Sequence, residues 1–104
     1  MRFKPYNKYR NKPTYIGKIR FASKSEAARY QVLKLCEAQG AITDLQLQPT
    51  FKFPMGFSYR ADFAYTLKGK QIVEDVKGIE TDVFKLKKKC FAYFYPTLEL
   101  AIIK

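Results

Sequence analysis

A chain of 104 residues, 47% hydrophobic and 16% aromatic, is one small domain with a modest core and is too apolar for a disordered tail. Its 20 Lys and Arg against 9 Asp and Glu give a net charge of +11, the electrostatic footprint of a polyanion binder. No apolar run approaches the ~20 residues a bilayer span needs, and with no histidine and no CxxC spacing a zinc site is excluded, so any metal is a hard one held by oxygen.

Residues 1–12 mix basic side chains with Phe3, Tyr6 and Tyr9 and show no clean period, so they read as a basic arm ahead of a single domain over 13–104. Residues 1–20 hold seven Lys or Arg and no acid. Tyr15 to Phe21 has the pattern of a short hairpin around Gly17. Ser23, Lys24, Ser25 and Glu26 form the S-x-x-E capping signal, with Ser23 as N-cap of a helix that Gly40 ends. The expected apolar stripe of that helix is Ala28, Val32, Leu35 and Cys36, with Leu33 on a flank, Glu26 just beyond it and Arg29 partly inside.

Ile42 to Phe53 alternates, with Leu45, Leu47, Phe51 and Phe53 on one face, and Pro49 places this strand at an edge or breaks it. A second strand follows the Pro54 to Gly56 turn, with Tyr59, Ala61, Phe63 and Tyr65 alternating against Arg60, Asp62, Ala64 and Thr66. Lys68 and Gly69 turn the chain into the return strand Gln71 to Lys77. Thr81 caps a second helix that runs to about Tyr95 before Pro96, with Val83, Leu86, Cys90 and Phe94 as its seam and Lys85, Lys88 and Lys89 on the other side. Leu98 to Ile103 is a buried strand, and a helical crossover makes it parallel to the Gln71 strand. The order is α-β-β-β-α-β, an α/β domain with a mixed sheet flanked by helices. Cys36 and Cys90 each lie on an apolar stripe and are expected as buried free thiols.

Acids and lysine are poor strand formers, yet "QIVEDVKG" carries Glu74, Asp75 and Lys77. A two-residue Lys68-Gly69 loop gives hairpin partners whose numbers sum to 137, so Asp62 faces Asp75. Alternation puts Asp75 and Lys77 on one face and Glu74, assigned to structure or a salt bridge, on the other. Two carboxylates with Cβ atoms ~5 Å apart destabilise a strand pair unless a positive charge lies between them. A divalent cation such as Mg²⁺ supplies it, and Lys77 can orient or deprotonate a water or stabilise charge developing on phosphorus. Other roles stay open for each group. Asp62 can pair with Arg60 or Lys77 on a solvated face, Glu26 can close the capping box, the lysine run from Lys85 to Lys89 can be a solvated helix face, and the arm can be a disordered tail.

The helix Glu26, the Asp62 of "ADF" and the Asp75-x-Lys77 of "EDVKG", in this element order, resemble the PD-(D/E)XK nuclease core. More closely, "FASKSEAARY", "LQPTF", "YRADFAY", "VEDVKG" and "FKLKKKCFAYFYP" are similar to the small phage-borne nuclease family related to Holliday-junction resolvases, over about Tyr9 to Ile103. The resemblance implies a restriction-endonuclease-like core and metal-dependent phosphodiester hydrolysis. Asp62 and Asp75 are then metal ligands, Glu26 a further metal-site acid, and Lys77 the catalytic lysine. Ala61 stands where the motif usually has Pro, and Asp75 where it usually has Glu.

The expected activity is that of an endonuclease on branched DNA, four-way junctions foremost, with Mg²⁺ as cofactor and Mn²⁺ able to substitute. A nuclease of duplex, nicked or flapped DNA and a non-catalytic nucleic-acid-binding protein are the alternatives. The cations expected to meet DNA are Lys4, Lys8, Arg10, Lys12, Lys18, Arg20, Lys24, Arg29, Lys85, Lys88 and Lys89. Two cuts in a two-fold junction call for a homodimer. Its patch is expected at Phe91, Tyr93, Phe94 and Tyr95 or at Tyr30 and Leu33. The expected location is the cytoplasm, that of the host if the chain is phage-encoded.

Overall fold

Gly17, at φ 62, turns the chain between β1 (Thr14–Ile16) and β2 (Ile19–Phe21), which pair antiparallel as the sequence suggests. The structure, a computed structural model, describes residues 13–104. The arm, with Lys4, Lys8, Arg10 and Lys12, lies outside the described residues. Helix α1 (Lys24–Ala38) starts at Ser23, whose Oγ accepts the Glu26 N–H at 3.1 Å, and Gly40, at φ 79, turns the chain away just beyond its end.

The face α1 buries is not the expected stripe. Glu26, Ala27 and Leu33 are buried and Tyr30 packs beside them, while Ala28 is exposed and Val32 and Leu35 are 48% and 60% exposed. The inward face carries an acid and, at its edge, Arg29, so an apolar count turns the helix the wrong way. Helix α2 (Asp82–Phe94), capped by Thr81 Oγ1 on the Phe84 N–H at 3.1 Å, shows the same kind of shift. Phe84 and Phe91, two turns apart, are its buried residues, and Val83 and Leu86 of the expected seam are exposed. Two aromatic rings remove more apolar area from water than the Val and Leu beside them.

Four strands form the central sheet: β3 (Thr43–Leu47), β6 (Phe63–Leu67), β7 (Lys70–Val76) and β8 (Glu99–Ile103), in the order β3-β6-β7-β8. The first two pairings are antiparallel, and the last is parallel across α2. The β6–β7 register runs from Phe63 opposite Glu74 to Leu67 opposite Lys70, the pairing expected from a Lys68-Gly69 turn, and both turn residues have positive φ, 50 and 79. The described residues therefore form a small mixed α/β domain of two helices about a mixed sheet.

Two expected strands are each broken in two, the first at Pro49, where a break is one of the two expected outcomes, and the second where none is expected. Gln48, at φ 51, and Pro49 separate β3 from β4 (Thr50–Lys52), and Ala61 and Asp62 separate β5 (Ser58–Arg60) from β6; β4 and β5 pair as their own ribbon. The breaks answer each other, since the Gln48 N–H donates to the Asp62 carbonyl at 2.9 Å and the Ala61 N–H to that of Pro49 at 3.0 Å. The kink divides the expected Leu45-Phe53 face: Leu45 packs with α1, Phe51 and Phe53 with α2. The core is two clusters, one per sheet face. Phe21, Ala27, Leu33, Phe63 and Ile72 lie on the α1 side, and Phe53, Tyr59, Val73, Phe84 and Phe91 on the α2 side. Cys36 and Cys90 are free, half-buried and on opposite sides.

Of the residues expected at a dimer surface, Leu33 and Phe91 are core residues, Tyr30, Phe94 and Tyr95 are half-buried, and Tyr93 is 77% exposed. Among the described residues no helix is long and apolar enough to cross a membrane. The rotation of α1 is checked by two substitutions in urea unfolding. Leu33→Ala is expected to destabilise by about 2–5 kcal/mol, as for other buried leucines, and Val32→Ser by about 0.5 kcal/mol or less, as at exposed sites. The reverse ranking would return the helix to the expected stripe.

Candidate active site

Asp75 lies near the end of β7, 2% exposed, with Oδ2 accepting the Tyr59 hydroxyl of β5. Continuing the β6–β7 register by one step sets Asp62 opposite it, at the strand break rather than in mid-strand. There the Asp62 N–H donates to the Glu74 carbonyl at 3.0 Å, and Asp62 Oδ2 accepts the Val76 N–H at 2.8 Å. Glu26, in the first turn of α1 and 6% exposed, shares a hydrogen bond with Asp62 through its carboxyl, while its N–H completes the Ser23 cap. An acid in the first turn of a helix is favoured by the helix dipole. Lys77 follows β7, with Nζ 3.8 Å from Asp75 Oδ1 and 4.8 Å over the Phe84 ring.

These four side chains line one cleft of about 540 Å³, together with Ser23, Ser25, Gly78 and Lys104. Asp62 is thus not an ion pair on a solvated sheet face. Glu26, Asp62 and Asp75 form a row of touching carboxyls, and such a row cannot hold a full charge on every member. Burial is the main reason that Asp62 and Asp75 are each pushed up to about 6, with the neighbouring acid adding to it; the Val76 N–H and the Tyr59 hydroxyl offset part of the rise.

The donors are all oxygens, and two are held from behind by Tyr59 and Val76, the outer support that metal ligands need. Among the described residues no three acidic, His or Cys side chains converge as a ready-made cage. The chemistry fits a cation that takes one or two carboxylates and completes its shell with water and substrate oxygens, as Mg²⁺ does.

Two expected DNA contacts are committed elsewhere. Arg29 is bound to Glu74 through Nε at 2.8 Å and Nη2 at 2.6 Å, and Lys88 Nζ lies 2.6 Å from Glu80 Oε1. Both cations are thus paired within the chain, with side chains 29% and 38% exposed. Lys18, Arg20, Lys24, Lys85 and Lys89 are exposed. Glu74 is fully buried on the α1 side, in the salt bridge expected for it.

Sequence reasoning missed Tyr59 and Lys104. Alternation through an unbroken strand set Tyr59 and Asp62 on opposite faces, and only the break brings both to Asp75. Lys104 was legible in the parallel register, because Val76 opposite Ile103 puts Lys77 beside Lys104. The Lys77 N–H donates to the Ile103 carbonyl at 2.9 Å, and Lys104 Nζ lies 3.5 Å from Glu80.

Stability should follow the two raised aspartates. Their neutral forms favour the fold; that contribution is complete below the ordinary carboxylate range and is lost as pH rises through about 6. The melting temperature is expected to fall between about pH 4 and about pH 6.5, and Asp62→Asn and Asp75→Asn are each expected to flatten the fall. An equally steep fall in both variants would place the raised groups elsewhere.

A search of the curated proteins found no match. Residues 6–104 match the family described as "Protein of unknown function (DUF1064)". With nearly the whole chain matched, this protein belongs to the DUF1064 family.

Proposed function

We propose that the protein is a Mg²⁺-dependent endonuclease that hydrolyses phosphodiester bonds in branched DNA, with four-way junctions as its substrate. The observation that carries this reading is the meeting of Glu26, Asp62, Asp75 and Lys77 in one cleft from three separate stretches of chain. The order α1, β3, β6, β7, α2, β8 and the parallel β7–β8 pair support a restriction-endonuclease-like core of the PD-(D/E)XK class.

Asp62 and Asp75 would hold the cation, with Glu26 as a further acid and Mn²⁺ able to substitute. When bound, the cation supplies charge stabilisation for in-line attack of water on phosphorus. Lys77, beside Asp75 and 34% exposed, is placed to orient that water or to donate to a phosphate oxygen. Tyr59 and the Val76 N–H keep the aspartates aimed. Lys18, Arg20, Lys24, Lys85 and Lys89, with the basic arm, would supply phosphate contacts and the salt dependence they bring.

Labelled four-way junction, flap and linear duplex, each incubated with Mg²⁺ or with chelator, test the reading. Cleavage of the junction with Mg²⁺ and none with chelator is expected. Preferential cutting of flap or duplex would change the substrate, and binding without cutting of any substrate would make the protein a non-catalytic binder. Lys77→Ala and Asp75→Asn are each expected to slow cleavage by about 100-fold or more, within the range for acid–base groups, while junction binding survives. Variants that cut as well as the parent would remove these residues from the chemistry.

The working form in this proposal is a homodimer, one site per strand of a two-fold junction. Tyr93, Val83 and Leu86, 77%, 64% and 57% exposed on α2, are the apolar surface for it. Light scattering is expected to give twice 12.2 kDa, and 12.2 kDa with and without junction would exclude the dimer.

A further inference from the structure

We infer that Arg29, Glu74 and Tyr65 are positioning residues, a clamp that sets helix α1 against β7 at the height where the Glu26 carboxyl meets Asp62. This rests on the nuclease reading of the cleft. Glu74 is 0% exposed, and the residues on its side of the sheet are Phe63, Tyr65 and Ile72. Arg29 donates to both of its carboxylate oxygens, and the Tyr65 hydroxyl donates to Oε2 as well.

Folding alone gives no reason for this arrangement. Well-packed apolar residues of similar volume often hold such a site as well or better than a buried ion pair. An ion pair adds direction. Apolar contact is non-directional, so Ala27 and Leu33 would leave α1 free to turn or slide slightly on the sheet. A two-pronged guanidinium–carboxylate contact fixes both distance and angle.

The position of the clamp matches that use. Arg29 follows Glu26 by three residues, which puts the two on neighbouring positions of one helix face. Glu74 immediately precedes Asp75, and its carbonyl accepts the Asp62 N–H at 3.0 Å. One turn of helix and one residue of strand therefore join the clamp to all three acids of the cleft. The rotation that buries Glu26 and exposes Val32 is the one that lets Arg29 reach Glu74.

The test replaces the whole clamp by apolar groups in the variant R29M/Y65F/E74L and compares it with the parent in three measurements: the urea midpoint, Mg²⁺ binding by calorimetry without DNA, and the Mg²⁺ concentration for half-maximal cleavage. The expected result is a midpoint equal to or above the parent's, with Mg²⁺ affinity weakened by about 10-fold or more and the cleavage midpoint shifted to match, as for lost outer support of metal ligands. A stable variant that binds Mg²⁺ like the parent overturns the inference. Should the triple variant not fold, Arg29→Lys decides: it keeps the charge and loses the two-pronged contact. It is expected to bind Mg²⁺ more weakly while folded, and unchanged binding overturns the clamp. A parent that neither binds Mg²⁺ nor cuts DNA sinks the nuclease reading itself, and the clamp with it. A parent that does both, matched by its variants, sinks the clamp alone.

Discussion

Two successive acids, Glu74 and Asp75, are buried on opposite faces of β7, and the rest of the domain is arranged to answer them. β7 has a hydrogen-bonded strand on each side, so neither carboxyl can escape over a sheet edge. A buried carboxylate without a partner is among the most expensive features a small fold can carry. On the α1 side the answer is Arg29 and Tyr65, which leave both oxygens of Glu74 partnered. On the α2 side it is the Tyr59 hydroxyl and a lysine 3.8 Å away, which leave Asp75 only partly compensated. The two faces thus differ in kind: one acid is satisfied, and the other keeps a high pKa and an opening to solvent.

The same demand explains the irregular strands. A continuous second strand would have kept Tyr59 and Asp62 on opposite faces, as period-two alternation requires. The break at Ala61 and Asp62 resets that alternation, and its partner break at Gln48 and Pro49 takes up the freed backbone groups. Tyr59 then reaches Asp75 from the separate β4–β5 ribbon, while Asp62 turns its carboxyl to the Val76 N–H. Strand irregularities beside a cleft re-aim side chains in many folds.

A chain with a net charge of +11 gathers three of its nine acids at one cleft, rimmed by Lys77 and Lys104. The whole-molecule field draws polyanions, whereas the local field inside the cleft draws a cation. Under the proposed function these two demands belong to one act, bringing a phosphate backbone to a metal that the local acids hold against the repulsion of a net positive chain. The ring of Phe84 takes two cations, Lys77 Nζ at 4.8 Å and Lys88 Nζ at 5.7 Å from its centroid.

By itself the sequence determined the two helices, the hairpin around Gly17, and the β6–β7 and β7–β8 pairings. Ser23, Thr81, Gly40 and Pro96 marked the helix ends, because caps and breakers act on their immediate neighbours. The Lys68-Gly69 turn set the β6–β7 register, and with it Asp62 opposite Asp75, because a two-residue loop leaves one pairing. Tertiary structure alone decided which way each helix faces. The inward faces carry Glu26 and Arg29 on α1 and widely spaced rings on α2, so apolar periodicity pointed to Val32, Leu35, Val83 and Leu86, which are exposed. It also decided that Arg29 and Lys88 are spent on Glu74 and Glu80. Pairing between charges 45 and 8 residues apart depends on how helices dock on the sheet, and no local pattern in the chain records that docking.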